Sequence, residues 1–391
     1  MNQRNHIKIL QICAGGNEFG GVEAFLYEHY KHFDREVFHW DFLFCGGNAL
    51  ATKMESSVLQ KSNIYALNII DSSCIKNLFF GRYYYLYREL KKFFYDRYYD
   101  IVHIHTGSII IQSICATAIG NVKHPVVIAH AHGGIPSDVM IKNVVYRCLR
   151  KPVLKNSKFF FAASTPAGKR LYGASRRFMV IPNGIDVKRF CFNPSSRAVL
   201  REQLKLDGVF VLGHIARLTK IKNQIFLLKV FYELYRLYPQ SRMLIVGDGE
   251  MRNVLENEAK KLGIDDFVIF AGSKTNTEDY YQAMDVFALP SFSEGLPLVT
   301  IEAQTSGLPC VVSTAVPKEA DMGTKLLIRK ELADGEKAWA ETILSLKEYR
   351  RKDESDTVQR AGFDISATAE WLEKFYLKIA VNNTIGDDVD F

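Results

Sequence analysis

The chain has 391 residues, 48% hydrophobic and 24% charged, a balance that excludes an intrinsically disordered polymer and leaves room for two ordinary domains. No apolar run reaches the roughly 18 residues of a membrane-spanning helix, and seven scattered cysteines with no CxxC argue against a disulfide framework or zinc cluster and fit a reducing cytoplasm. The formal charge of +7 suits an anionic small molecule or an anionic membrane surface, and fits ordinary solvated faces equally well.

The opening segment, MNQRNHIKILQICAGG, lacks a long apolar stretch and reads as a first buried strand, not a signal peptide. Apolar, β-branched runs then alternate with helical patterns, the signature of parallel sheets with crossover helices. Strands are expected at Lys8–Cys13, His39–Phe44, Asn63–Leu67, Ile101–His105, Val126–His130, Phe159–Ala163 and Phe178–Ile181. A second set follows at Phe210–Ala216, Arg242–Val246, Val268–Ala271, Val286–Leu289, Pro309–Val312 and Leu326–Leu327. Helices are expected at Val22–Lys31, Asn223–Tyr238, Met251–Leu262 and Thr277–Met284. Turn formers between Pro182 and Ser196 mark a boundary between two doubly wound α/β units. Ligands on such sheets bind beyond the carboxyl ends of the strands, and a cleft between two such domains suits a small molecule.

The strongest chemical signal is the segment Ser291-Phe-Ser-Glu294-Gly295-Leu296-Pro297-Leu298-Val299-Thr300-Ile-Glu302-Ala303. It follows a strand and opens a helix, whose unpaired N–H groups and positive dipole end favour a phosphate. Gly295 lets backbone approach closely. Alone, the two carboxylates could be a cap and a surface charge. The second signal, Gly213-His214-Ile-Ala216-Arg217-Leu-Thr-Lys220-Ile-Lys222-Asn223, places a rigid guanidinium fork and a mobile ammonium after the first strand of the second half. A diphosphate would use both, although two solvated loop cations are an equal reading.

A glycine-rich loop, Cys13 to Glu23, lacks GxGxxG spacing but can offer backbone N–H groups to an anion. Val246-Gly247-Asp248-Gly249-Glu250 reads as a plain strand-to-helix turn. Four histidines, His103, His105, His130 and His132, stand at strand ends, spaced by two so that each pair shares a face. No carboxylate or cysteine cluster accompanies them, so no metal is expected; His132 is the better substrate contact. The aromatic and basic segment Ile75–Asp100 reads as a helix packing on the sheet, or as a membrane-interface helix.

Taken together, these residues resemble glycosyltransferase family 4, of the GT-B fold. Glu294 and Glu302 resemble that family's E-x7-E pair, Arg217 and Lys222 its phosphate-binding cations, Gly20 and Gly21 its loop glycines, and Ile181 to Asp186 its IPNGID link. The pattern departs at Lys318-Glu319-Ala320, which leaves the far wall of the pocket open. The resemblance implies an α/β GT-B fold, two doubly wound Rossmann-like domains facing a central cleft. Residues 1–185 would form an acceptor-side domain, 186–196 a linker, 197–362 a nucleotide-sugar-binding domain, 363–381 a helix crossing back, and 382–391 a flexible tail.

It further implies a retaining hexosyltransferase that needs no cofactor or metal and takes a nucleotide sugar, expected to be a UDP-sugar, as co-substrate. Glu294, His132, Arg217 and Lys222 would carry the chemistry. Gly20, Gly21, Arg217, Lys222, Gly272, Ser273, Glu294, Gly295, Leu296, Pro297, Leu298, Val299 and Glu302 would hold the donor. The expected acceptor is a saccharide, lipid-linked, in cell-surface polysaccharide assembly at the cytoplasmic face of the inner membrane, with no nucleic acid as partner. The alternatives are an epimerase or phosphorylase on the same scaffold, or a non-catalytic partner subunit that binds the nucleotide sugar.

Overall fold

The computed structural model describes residues 6–14, 21–45, 62–67, 79–120, 122, 125–132 and 140–381. The chain forms two compact units, Met1–Gly184 with Ile365–Phe391, and Ile185–Asp364.

The first unit is built on strands β1 (Ile7–Ala14), β2 (Phe38–Cys45), β3 (Ile64–Leu67), β4 (Ile101–Thr106), β5 (Val126–Ala131), β6 (Phe159–Ala162) and β7 (Met179–Val180). They pair in parallel in the order β3-β2-β1-β4-β5-β6-β7. Helices α1 (Gly21–His32), α2 (Phe79–Phe93), α3 (Ile109–Ile119), α4 (Met140–Asn156) and α5 (Thr165–Tyr172) join them. Strands such as β4 are buried along their whole length, as a parallel sheet covered on both faces requires, and this is why they read as unbroken apolar runs.

On one face, Ile9, Ile101, Ile128 and Phe161 pack against Phe25 and Leu26 of α1 and against the C-terminal helix Ile365–Val381. That helix presents Ala369, Leu372, Tyr376 and Ile379 as one apolar stripe. Each large side chain so buried stabilises the unit by about 1.5–3 kcal/mol. The opposite face carries Leu10, Ile12, Val102 and Ile104 against Leu86 and Leu90 of α2 and Ala118 and Ile119 of α3. The aromatic and basic segment is therefore a core helix on one side, burying Phe93 and Phe94, while Tyr84 and Tyr95 stay exposed. Its first residues, 75–78, and the tail 382–391 lie outside the described residues.

The second unit holds α6 (Val187–Phe190), α7 (Pro194–Gln203), β8 (Phe210–Ile215), α8 (Gln224–Leu237), β9 (Ser241–Val246), α9 (Arg252–Lys261), β10 (Val268–Gly272), α10 (Thr277–Ala283) and β11 (Val286–Leu289). It continues through α11 (Leu298–Thr305), β12 (Cys310–Ser313), β13 (Leu327–Lys330), α12 (Gly335–Ser345) and α13 (Ser355–Arg360). The parallel sheet runs β10-β9-β8-β11-β12-β13. The chain reverses its direction of winding between β8 and β11, so this is the topological switch point where an open α/β sheet leaves a crevice beyond its carboxyl edge.

The stretch 186–196, expected as a linker, is instead folded into this unit. Asp186 caps α6 through Arg189 N, and Asn193 caps α7 with Pro194 at its first turn. Turn formers and helix caps are the same residue types, which is why the sequence misleads here. Asp285 then fixes α7, accepting from Arg197 at 2.5 Å and from Arg201 at 3.2 Å.

The glycines after β9 answer to packing. Gly247 has φ +133, and a Cβ there would fall inside the Ala216 carbonyl oxygen; at Gly249 it would meet Leu218 O. The loops after β8 and β9 are zipped by Leu218 N→Asp248 O at 2.9 Å and Met251 N→Leu218 O at 3.1 Å. Gly247→Ala is expected to destabilise the second unit by about 1–3 kcal/mol through backbone strain. A thermal melt reads this; an unchanged melting temperature would show that the β8 loop yields freely.

Candidate active site

Both signals at the switch point converge. Arg217 follows β8 and is exposed; Lys222 ends a 3-10 turn, Lys220–Lys222, from which Asn223 at φ 56 starts α8. A left-handed residue there reverses the chain within one position, and Asn tolerates it. Beyond β11, the loop 290–297 carries Glu294. Lys222 Nζ donates to Glu294 Oε1 at 2.6 Å, and Phe292 N donates to Ile221 O at 2.8 Å, so the two loops are tied by side chain and by backbone.

Three residues that the sequence reading passed over, Ser313, Gln224 and Tyr281, hold this geometry together with Ser291 and His214. Ser291 Oγ donates to Glu294 Oε1 at 2.6 Å, while its own carbonyl accepts from Ser313 Oγ on β12 at 2.6 Å. Glu294 is thus aimed from a rigid base. Gln224 Nε2 donates to the Arg217 carbonyl at 2.9 Å and approaches His214 Nε2 at 3.3 Å. His214 Nδ1 faces Ala288 O at 2.8 Å, and burial pushes its pKa down to about 4, so it is neutral and takes Nδ1–H. Tyr281 Oη donates to Glu302 Oε2 at 2.7 Å. Burial first, and the Glu302 charge second, push the Tyr281 phenol well up, so it remains a donor.

Glu302 lies one turn inside α11, whose N-cap position is Pro297 and carries no side-chain cap. Gly295 is exposed, Pro297 is buried, and Leu296, Leu298 and Val299 are partly buried at the helix start. Gly272 closes β10 with φ +73 and accepts from Gly247 N at 2.9 Å; Ser273 beyond it is exposed. Lys318–Ala320 forms a 3-10 turn anchored through Gln304 Nε2→Ala320 O at 2.8 Å. Arg217, Lys222, Glu294 and the start of α11 therefore share the loops after β8 and β11, and Gly272 and Ser273 lie on the β10 side. Tyr281→Phe removes a hydrogen bond to a charged group, worth about 1.5–3 kcal/mol. We expect the melting temperature of the second unit to fall, with an unaltered melting temperature as the contrary result.

In the first unit, Gly21 is the first residue of α1, and Gly20 lies outside the described residues. His132 follows β5 and is buried, its N–H donating to Thr106 O at 3.1 Å. His103, His105, His130 and His29 are buried beside it. Nitrogens of His103, His105 and His130 lie within 4.8 Å of one another, chemistry open to a transition metal. His105, however, already spends both nitrogens, on His132 at 3.0 Å and on Gln11 at 2.8 Å. Burial holds His132 down at about 3 and His29 at about 4, and holds His103, His105 and His130 well below the ordinary imidazole value. Among the described residues no helix is long and apolar enough to cross a membrane.

Residues 196–361 match the family described as Glycosyl transferases group 1, and residues 19–189 match Glycosyltransferase Family 4. EpsF of Bacillus subtilis (strain 168), placed among the glycosyltransferases by its name, is 28% identical over 94% of this chain and 96% of its own. The UDP-Gal:alpha-D-GlcNAc-diphosphoundecaprenol alpha-1,3-galactosyltransferase of Escherichia coli is 32% identical over 58% of this chain and 60% of its own. Among solved structures, Anabaena Alr3699/HepE in complex with UDP superposes with a TM-score of 0.73, at 20% identity, covering 95% of this chain and 100% of that one. The two Rossmann-like units are those of the GT-B fold, and the chain belongs to the family 4, group 1 glycosyltransferases: it is a glycosyl-transferring enzyme.

Proposed function

We propose that the enzyme moves a hexosyl group from a UDP-sugar to a lipid-linked saccharide, with retention of anomeric configuration, in the assembly of a cell-surface polysaccharide. The observation that carries this reading is the Lys222–Glu294 pair at the switch point of the second unit, 2.6 Å apart. It puts a cation for the diphosphate and a carboxylate for sugar hydroxyls side by side on loops that hydrogen bonds hold rigid. Arg217 and Lys222 take the diphosphate, together with the uncapped start of α11 through Gly295 to Val299. Glu294 accepts from hydroxyls of the transferred sugar, Glu302 from the ribose, and Gly272 and Ser273 border the base. His132 meets a hydroxyl of the sugar substrate.

The leaving nucleoside diphosphate gains negative charge as the C1–O bond breaks, and fixed cations with helix N–H groups stabilise that transition state. These side chains serve where other transferases use a metal ion. The acceptor oxygen bonds to C1 on the face the diphosphate leaves, and the departing phosphate oxygen takes the acceptor proton, so no covalent enzyme adduct forms. The relatives support the substrate classes: the Escherichia coli galactosyltransferase is named for a UDP-sugar and a diphosphoundecaprenol-linked sugar, and the Anabaena protein was solved with UDP. The exposed Tyr84 and Tyr95 beside Arg88 and Lys91 offer a peripheral contact with the inner membrane.

The test is a panel of nucleotide sugars incubated with lipid-linked saccharides, products being read by mass and by anomeric NMR. One UDP-sugar should yield a retained glycoside that depends on the acceptor. Consumption of the sugar nucleotide without acceptor would favour an epimerase, and binding without turnover a partner subunit.

A further inference from the structure

The first unit carries a hydrogen-bonded chain inside its core, of which the mechanism above uses only His132. Tyr376 of the C-terminal helix, Gln11 of β1, His103 and His105 of β4, and His132 after β5 are all buried. Tyr376 Oη lies 2.6 Å from His103 Nδ1 and 3.3 Å from Gln11 Nε2. Gln11 Oε1 lies 2.8 Å from His105 Nε2, and His105 Nδ1 lies 3.0 Å from His132 Nε2. His132 Nδ1 is buried and has no partner among the described residues.

The Gln11 amide, with Nε2 toward Tyr376 and Oε1 toward His105, sets the protons along this chain. A 2.6 Å contact is the length of an O–H donor's bond and is shorter than N–H donors usually make. The single Tyr376 proton is accordingly assigned to His103 Nδ1, and His103 carries its own proton on Nε2, which is buried with no partner among the described residues. Tyr376 has none left for Gln11, so the Gln11 amide must donate to it through Nε2, and Oε1 turns to His105. A carbonyl oxygen only accepts. His105 consequently carries its proton on Nε2 and accepts at Nδ1. His132, neutral in this apolar core, then donates from Nε2, and its Nδ1 holds a lone pair.

We propose that Tyr376, Gln11 and His105 act as a tautomer lock on His132, so that His132 presents an unprotonated Nδ1 as acceptor to a hydroxyl of the sugar substrate. The proposal rests on the reading of His132 as a sugar contact. Tyr376, Gln11 and His105 are positioning residues and touch no substrate. The opposite tautomer would face the hydroxyl with an N–H and could not take its hydrogen bond. Ring-nitrogen identity is commonly set this way, by what the other nitrogen bonds.

The test uses the full chain labelled with 15N-histidine, comparing imidazole nitrogen shifts and N–H couplings in the wild type, Gln11→Met and Tyr376→Phe, with His132→Ala for assignment. Transfer rates are measured on the same samples. We expect His132 in the wild type to be protonated at Nε2 only. Both variants should mix the two tautomers and lose about 10–100-fold in kcat, the usual cost of removing such an outer partner. Should Gln11→Met fail to fold, Tyr376→Phe, which deletes one oxygen, carries the measurement. A protonated Nδ1 in the wild type, or an unchanged His132 tautomer in the folded variants, overturns the lock. His132→Ala separates the two layers. If it turns over like the wild type, the sugar-contact reading fails and the proposal with it. If it is inactive while the variants keep wild-type tautomer and rate, only the lock fails.

Discussion

Lys222→Ala is expected to lower kcat for sugar transfer by about 10²–10³, the cost of removing one fixed group aimed at charge that develops in a transition state. Lys222 is largely buried beside Glu294, where its charge is weakly screened and acts at close range. The substitution also takes the counter-ion from a carboxylate that Ser291 still holds. Glu294 is then an anion without compensation near a diphosphate, so donor affinity should fall as well. Lys222→Arg keeps the charge but not the compact ammonium, and should recover only part of the rate. Arg217 is exposed, so its charge is screened, and Arg217→Ala should cost less. Initial rates with a single sugar nucleotide decide the matter; a Lys222→Ala enzyme within threefold of wild type would contradict the assigned role.

The second large effect is acid lability concentrated in the first unit. His29, His103, His105, His130 and His132 are all buried there with pKa values below the ordinary 6.5, His29 at about 4 and His132 at about 3. The cause in each is burial first, which disfavours the imidazolium. Between the folded and unfolded values the unfolded chain binds more protons, so stability rises with pH in that window and is lost as pH falls below about 6.5. At pH 5 His29 and His132 have each given up on the order of 2 kcal/mol, and His103, His105 and His130 shift stability in the same direction. The second unit has one comparable group, His214 at about 4. Calorimetric melts between pH 7.5 and 5 should therefore split, the first unit's transition falling steeply while the second moves little. Parallel movement of both transitions, or none, would contradict this.

Much of this architecture is legible in the sequence because parallel strands are buried on both faces and so appear as short, unbroken apolar runs. β11 was expected and found at Val286–Leu289. The edge strand β7, expected at Phe178–Ile181, shrinks to Met179–Val180, because an edge has one partner to hold its ends. The carboxylates and cations were also visible, since their loops follow strands. What periodicity cannot give is who meets whom in space. Tyr281 reaches Glu302 across 21 residues and Ser313 reaches Ser291 across 22. Tyr376 reaches His103 across 273. No local pattern marks Tyr281 as more than one aromatic of a helix, or Gln11 as more than a polar interruption in β1. The histidine pairs were noticed, but spacing alone could not show that both nitrogens of His105 are engaged, by His132 and by Gln11.

The account stands or falls on a nucleoside diphosphate binding at the switch point of the second unit. Hydrogen exchange read by mass spectrometry, with and without UDP, tests it directly. The account predicts slowed exchange in peptides covering 217–224 and 291–302, lost in Lys222→Ala. Protection confined to other segments, or none at saturating UDP, would contradict it.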